Sequence, residues 1–184
     1  MDMQGTRQLS ATQQQAWDAL NDPEMLKKCL PGCDKFESTG DGQYTVAMAV
    51  KVGPVSAKFN GKVTLSDIQP PASYKLAFEG QGGVAGFGKG SSEVSLAPND
   101  AGCELGYTVQ AQVGGKIAQM GQRLIDGAAK SMADDFFKRF DNELQALHAP
   151  PAVEGADEEA GAQDEDSAAT KRSWRERLGL GKKE

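Results

Sequence analysis

A change of hydrophobic period, from two residues to about 3.6, constrains this chain more than any other feature. Tyr44, Val46, Met48, Val50 and Val52 alternate with Thr45, Ala47, Ala49 and Lys51, the pattern of a half-buried strand. Gly53-Pro54 turns the chain, and Val55, Ala57, Phe59, Gly61, Val63 and Leu65 continue the alternation. Short turns between such strands make them antiparallel neighbours. Further strands are predicted around Tyr74–Phe78, Phe87–Leu96 and Cys103–Val113; Gly5–Leu9 and Lys35–Ser38 bring the count to seven. After Gly114-Gly115 the period changes. Ile117, Met120, Leu124, Ala128, Met132, Phe136, Phe140, Leu144 and Leu147 fall on one stripe, and about thirty residues of helix span roughly 45 Å, enough to cross a sheet.

Two short helices complete the pattern. Ser10 is the predicted N-cap of a helix running to Leu20, with Ala16, Trp17 and Leu20 on one face. Asp22-Pro23 marks a second start, and Leu30-Pro31-Gly32 a stop. The predicted fold is α+β: a curved seven-stranded antiparallel sheet wrapped around a long C-terminal helix, with two short helices after the first strand. This is the helix-grip arrangement, and the high glycine count, 22, fits a sheet that twists and bulges. Such a fold encloses a cavity, and the inward registers nominate Trp17, Tyr44, Met48, Phe59, Val63, Phe78, Tyr107, Met120, Leu124, Met132 and Phe136 as its lining. Methionine adapts to exchangeable contents, and a buried tyrosine hydroxyl needs a partner, which a ligand carbonyl would supply; Tyr74 shares that inward register.

Charge divides the chain further. The acidic residues Glu154, Asp157, Glu158, Glu159, Asp164, Glu165 and Asp166 occur with no Lys or Arg among them, so residues 149–170 read as a disordered linker after a domain at 1–148. In the tail at 171–184, Lys171, Arg172, Arg175, Arg177, Lys182 and Lys183 outnumber Glu176 and Glu184. Trp174 and Leu178 stand four residues apart, with Arg175 and Arg177 between them, a short basic amphipathic pattern. Three readings stay open for it: a peripheral membrane contact, a docking peptide for a partner protein, or a solubilising end. The net charge of −6 argues against nucleic acid as a partner. The start of the chain carries no secretory signal, no run is apolar enough to span a bilayer, and the three cysteines are an odd number. The expectation is a cytoplasmic protein with reduced thiols.

Groups for catalysis are scarce. His148 is the single histidine and stands at the predicted end of the long helix, where it suits the helix dipole. Cys29 and Cys33 lack a second Cys/His pair to complete a metal site, and they read, with Cys103, as small core groups. Gly83-Val84-Ala85-Gly86-Phe87-Gly88-Lys89 approaches a phosphate-binding loop, but Gly90 stands where a magnesium-holding Ser or Thr belongs, and a strand follows. Arg123 is either a solvated surface residue or a ligand or partner contact. The expectation is a binding module, with no catalytic residue, no metal and no covalently bound cofactor.

Cys29-Leu30-Pro31-Gly32-Cys33, the pair Val52-Gly53-Pro54-Val55 and Phe59-Asn60-Gly61-Lys62-Val63, and the segment from Ile117-Ala118-Gln119-Met120 to Gly127-Ala128 resemble the CoxG family of carbon monoxide dehydrogenase. That family lies in the START/Bet v 1-like (SRPBCC) superfamily. The resemblance implies an accessory protein of a molybdenum hydroxylase of the carbon monoxide dehydrogenase type. It implies a cavity for a lipophilic ligand, a quinone, and a role in tethering or electrically linking the enzyme to the inner face of the cell membrane. The alternative is an assembly factor for the hydroxylase that works by protein contact without a small ligand.

Overall fold

In the computed structural model, which describes residues 1–149, the predicted element order is realised. Strand β1 (Asp2–Leu9) leads into α1 (Gln13–Leu20) and α2 (Pro23–Cys29). Then come β2 (Cys33–Gly40), β3 (Gln43–Val52), β4 (Val55–Gln69), β5 (Ser73–Gln81), β6 (Phe87–Asn99), β7 (Gly102–Gly114) and α3 (Gln122–His148). The strands form one sheet in the order β1-β7-β6-β5-β4-β3-β2. Every neighbouring pair is antiparallel. Helices α1 and α2 carry the chain from one sheet edge to the other, so tight hairpins can build everything between. The sheet, the long helix and the two short ones are those the sequence predicts.

Local chemistry sets the helix ends, with one correction. The cap of α1 is Thr12, not Ser10: the Gln15 N–H donates to the Thr12 hydroxyl, and the Thr12 N–H donates to the Gln15 side chain at 2.9 Å. This reciprocal box satisfies two backbone donors at once. Ser10 instead ties β1 to α3, its N–H and hydroxyl both donating to Asp141 at 3.1 Å. Asp22 caps α2, accepting from the Glu24 N–H at 3.0 Å, with Pro23 in the first turn as expected.

The long helix also departs from expectation. The stripe breaks at Gly121, whose φ of +88° is a conformation that glycine tolerates best. Before it, Ala118–Met120 forms a short 3-10 turn, so Ile117 and Met120 are not on α3. Residues spaced by four advance about 40° beyond a full turn at each step, so a stripe written in fours winds round the helix. Its ends consequently fall off the buried face: Leu124 is 48% exposed and Leu147 62%. Phe140 and Leu144 of the stripe are buried as expected and pack with Leu9, Leu105, Trp17 and Cys103 in the main core, while Ile125 is buried in place of Leu124.

Candidate functional site

Two apolar hollows lie between the concave face of the sheet and α3. The first, about 260 Å³, is bordered by Val50, Val52, Phe59 and Val113 of the strands, by Ile117, and by Ile125, Ala128 and Ala129 of α3. The second, about 390 Å³, is bordered by Tyr44, Tyr74, Leu76 and Tyr107 of the sheet, by Leu20, Leu26 and Leu30 of the α1–α2 segment, and by Phe136 and Phe137. Val46, Met48, Val63, Phe78 and Met132 border both. The larger volume alone falls in the usual range for small-molecule sites, roughly 300 to 1,000 Å³.

Residue choice creates the first hollow. On β4, β5 and β6 the cross-strand row Gly61, Gly80, Gly88 leaves the concave surface without side chains. The three glycines are not equivalent. A Cβ on Gly61 would strike the Glu79 carbonyl oxygen, so that glycine serves strand packing. A Cβ on Gly88 would meet nothing within 4 Å, so that glycine leaves space unfilled. Opposite the row, α3 presents the small Ala128 and Ala129.

Tyrosines give the second hollow its polar points. Tyr74 is 5% exposed and packs edge-on against Trp17 with ring centroids 5.6 Å apart. Tyr44 lies against Phe36 at 5.1 Å, and Tyr107 against Phe137 at 5.2 Å. The hydroxyls of Tyr44, Tyr74 and Tyr107 make no hydrogen bond to another described residue, whereas every fully enclosed side-chain N or O among the described residues has a partner. Each of these hydroxyls therefore keeps some accessible surface, and the Tyr107 hydroxyl lies over Gly5 of β1. Burial, and then the nearness of Tyr44, push the Tyr74 phenol well above its usual range, so it remains a neutral donor.

Of the residues nominated from sequence, Tyr44, Met48, Phe59, Val63, Phe78, Tyr107, Met132 and Phe136 border one or both hollows. Trp17, Met120 and Leu124 border neither. Trp17 is spent in the core against Tyr74, Met120 sits on the 3-10 turn, and Leu124 points outward because Gly121 resets the register. Tyr74, Ile125 and the glycine row belong to the lining as well; pairing the glycines of consecutive hairpins was the available signal for the row. Trp174, Arg175, Arg177 and Leu178, and the predicted linker from residue 150 onward, lie outside the described residues.

The remaining reactive groups are dispersed. All three cysteines are free. Cys29 is fully buried, its thiol 3.6 Å from the Met25 sulfur, and burial pushes its pKa up to about 11. Cys103 is core as expected, whereas Cys33 is only half-buried and donates to the Lys35 carbonyl at 3.3 Å. His148 is exposed in the last turn of α3, and Arg123 is exposed in its first. Gly83–Ala85 forms a single 3-10 turn followed by β6, with no helix to cradle a phosphate. Among the described residues no cluster suits a metal ion, and no helix is long and apolar enough to cross a membrane.

A sheet gripping a C-terminal helix around an apolar interior defines a helix-grip domain of the SRPBCC type, and structural neighbours agree. A conserved protein from Geobacillus kaustophilus matches with a TM-score of 0.75 and 35% identity, over 79% of this chain and 96% of that one. An aromatase/cyclase from a Streptomyces species matches at 0.61 with 16% identity, over 81% and 96%. A protein of Mycobacterium smegmatis matches at 0.61 with 17% identity, over 80% and 92%. The last two speak for the fold alone. No curated protein matches the chain. The model of the family described as the CoxG subunit of carbon monoxide dehydrogenase matches residues 5–145, and the chain belongs to that family.

Proposed function

We propose that this chain is a non-catalytic accessory protein of a carbon monoxide dehydrogenase-type molybdenum hydroxylase, and that its interior carries a lipophilic molecule, a quinone, between that enzyme and the membrane. One observation carries the reading: an apolar hollow that has three tyrosines, Tyr44, Tyr74 and Tyr107, among its lining residues. A quinone offers the matching chemistry, an apolar body with two carbonyl acceptors that Tyr44 and Tyr74 can meet as donors. The second hollow would take the ring, and the first an isoprenoid chain lying over the glycine row. Family membership supports the accessory role. The dispersed cysteines and the exposed His148 support a carrier over an enzyme.

Native mass spectrometry with organic extraction of the full chain, purified from its own cells, tests the proposal. A stoichiometric lipophilic quinone is the expected result. A protein that is empty and takes up no added quinone would overturn it in favour of an assembly factor acting by protein contact.

A further inference from the structure

We infer that the end of the domain over the first hollow is a docking surface for an anionic lipid bilayer, separate from the C-terminal tail. The inference rests on the reading of that hollow as a site for a lipophile.

Four segments meet at this end: the β3–β4 turn, the 3-10 turn after β5, the β7–α3 connection and the first turn of α3. The Ile117 N–H donates to the Ala85 carbonyl at 2.9 Å, and a Cβ on Gly53 would lie 3.5 Å from a Leu124 methyl. Val52, Ala85, Ile117 and Ile125, one from each segment, are buried together in a single cluster. Each of these anchors has an exposed chain neighbour. Val84 is 95% exposed and Leu124 48%, while Lys51 and Lys116 are exposed beside Val52 and Ile117. Arg123, exposed next to Leu124, adds a third cation.

None of these three cations has an ion pair among the described residues, where the pairs are made by Arg7, Lys28, Lys35, Lys58 and Lys75. The nearby acid Asp126 accepts from the Gln122 side chain at 2.6 Å. Exposed apolar side chains and unpaired cations at one end of the domain match a surface with hydrocarbon beneath and negative headgroups above. The core of a protein interface is instead depleted in charge and enriched in aromatic residues. Position gives the surface its use. Val52, Ile117 and Ile125 also wall the first hollow, so docking sets the bilayer against that wall and a lipophile can pass without crossing bulk water.

Co-sedimentation of the full chain with vesicles tests the inference, comparing phosphatidylcholine alone with phosphatidylcholine containing phosphatidylglycerol. Binding is expected only to the mixed vesicles. Val84→Asp with Leu124→Asp is expected to cut it several-fold, and Lys116→Gln or Arg123→Gln roughly five-fold each. These side chains are exposed, so the melting transition is expected to stay in place, and the charge variants repeat the test without new acidic groups. The same losses are expected in a Trp174→Ala, Leu178→Ala background. Quinone uptake from detergent micelles is expected to survive Val84→Asp with Leu124→Asp, while transfer from vesicles falls. Absence of uptake from micelles by the unmodified chain would defeat the carrier reading, and sedimentation would still decide the docking. Unchanged sedimentation of the rim variants, or loss of a co-purifying protein partner with vesicle binding intact, would overturn the inference.

Discussion

Gly88 shows how much of the site is decided by an absent side chain. Its Cβ position is open space above the hollow, whereas at Gly61 the same atom would strike a carbonyl oxygen. Gly88→Leu is therefore expected to keep or raise the melting temperature, because it fills a void with apolar volume, and to abolish quinone uptake. Unchanged uptake, measured by extraction after incubation with quinone, would remove the first hollow from the site. Tyr74→Phe deletes one hydroxyl and leaves the packing on Trp17. A lost hydrogen bond of about 1 kcal/mol predicts a roughly five-fold weaker quinone affinity in fluorescence titration, with little change in stability. Cys29 provides a pH test. An unfolded thiol ionises near 9, while the buried one keeps its proton to about 11. The folded state thus binds more protons in that window, and its stability falls as pH rises through it. Denaturation midpoints measured from pH 8 to 11 should fall less steeply for Cys29→Ala than for the unmodified chain.

At the scale of elements, the start of α1 shows two identical local signals resolved by packing. Ser10 and Thr12 each have a glutamine three residues on, Gln13 and Gln15, so either pair could form the capping box. Gln13 donates to the Leu96 carbonyl at 2.8 Å and Ser10 to Asp141, which leaves Thr12 and Gln15 to cap. Thr12→Ala is expected to cost about 1 kcal/mol in urea unfolding. An equal loss from Ser10→Ala would mean that the tie between β1 and α3 is as strong as the cap. In α3 the glycine break does more than end a turn: it moves Ile125 into the wall of the hollow and turns Leu124 outward.

At the scale of the whole molecule, the core described within residues 1–149 joins both ends of the domain. Leu9 and Cys103 at one edge of the sheet meet Phe140 and Leu144 near the end of α3. Removal of residues 150–184 is therefore expected to leave the melting transition by circular dichroism in place. Vesicle co-sedimentation should fall if Trp174, Arg175, Arg177 and Leu178 supply a second contact beside the rim, since stable anchoring generally takes two signals. A large drop in melting temperature would mean that those residues pack on the domain. The sequence by itself determined the seven strands, the long helix and part of the lining, because period and turn residues report which face of an element is buried. Residues such as Tyr44, Met48 and Phe136 were legible for that reason. Tertiary structure alone decided that Trp17 is core, that Leu124 is rim, and that Gly61, Gly80 and Gly88 fall in one row. Register between strands and helix rotation after Gly121 are set by which surfaces pack together, and a one-dimensional period carries no record of the partner face.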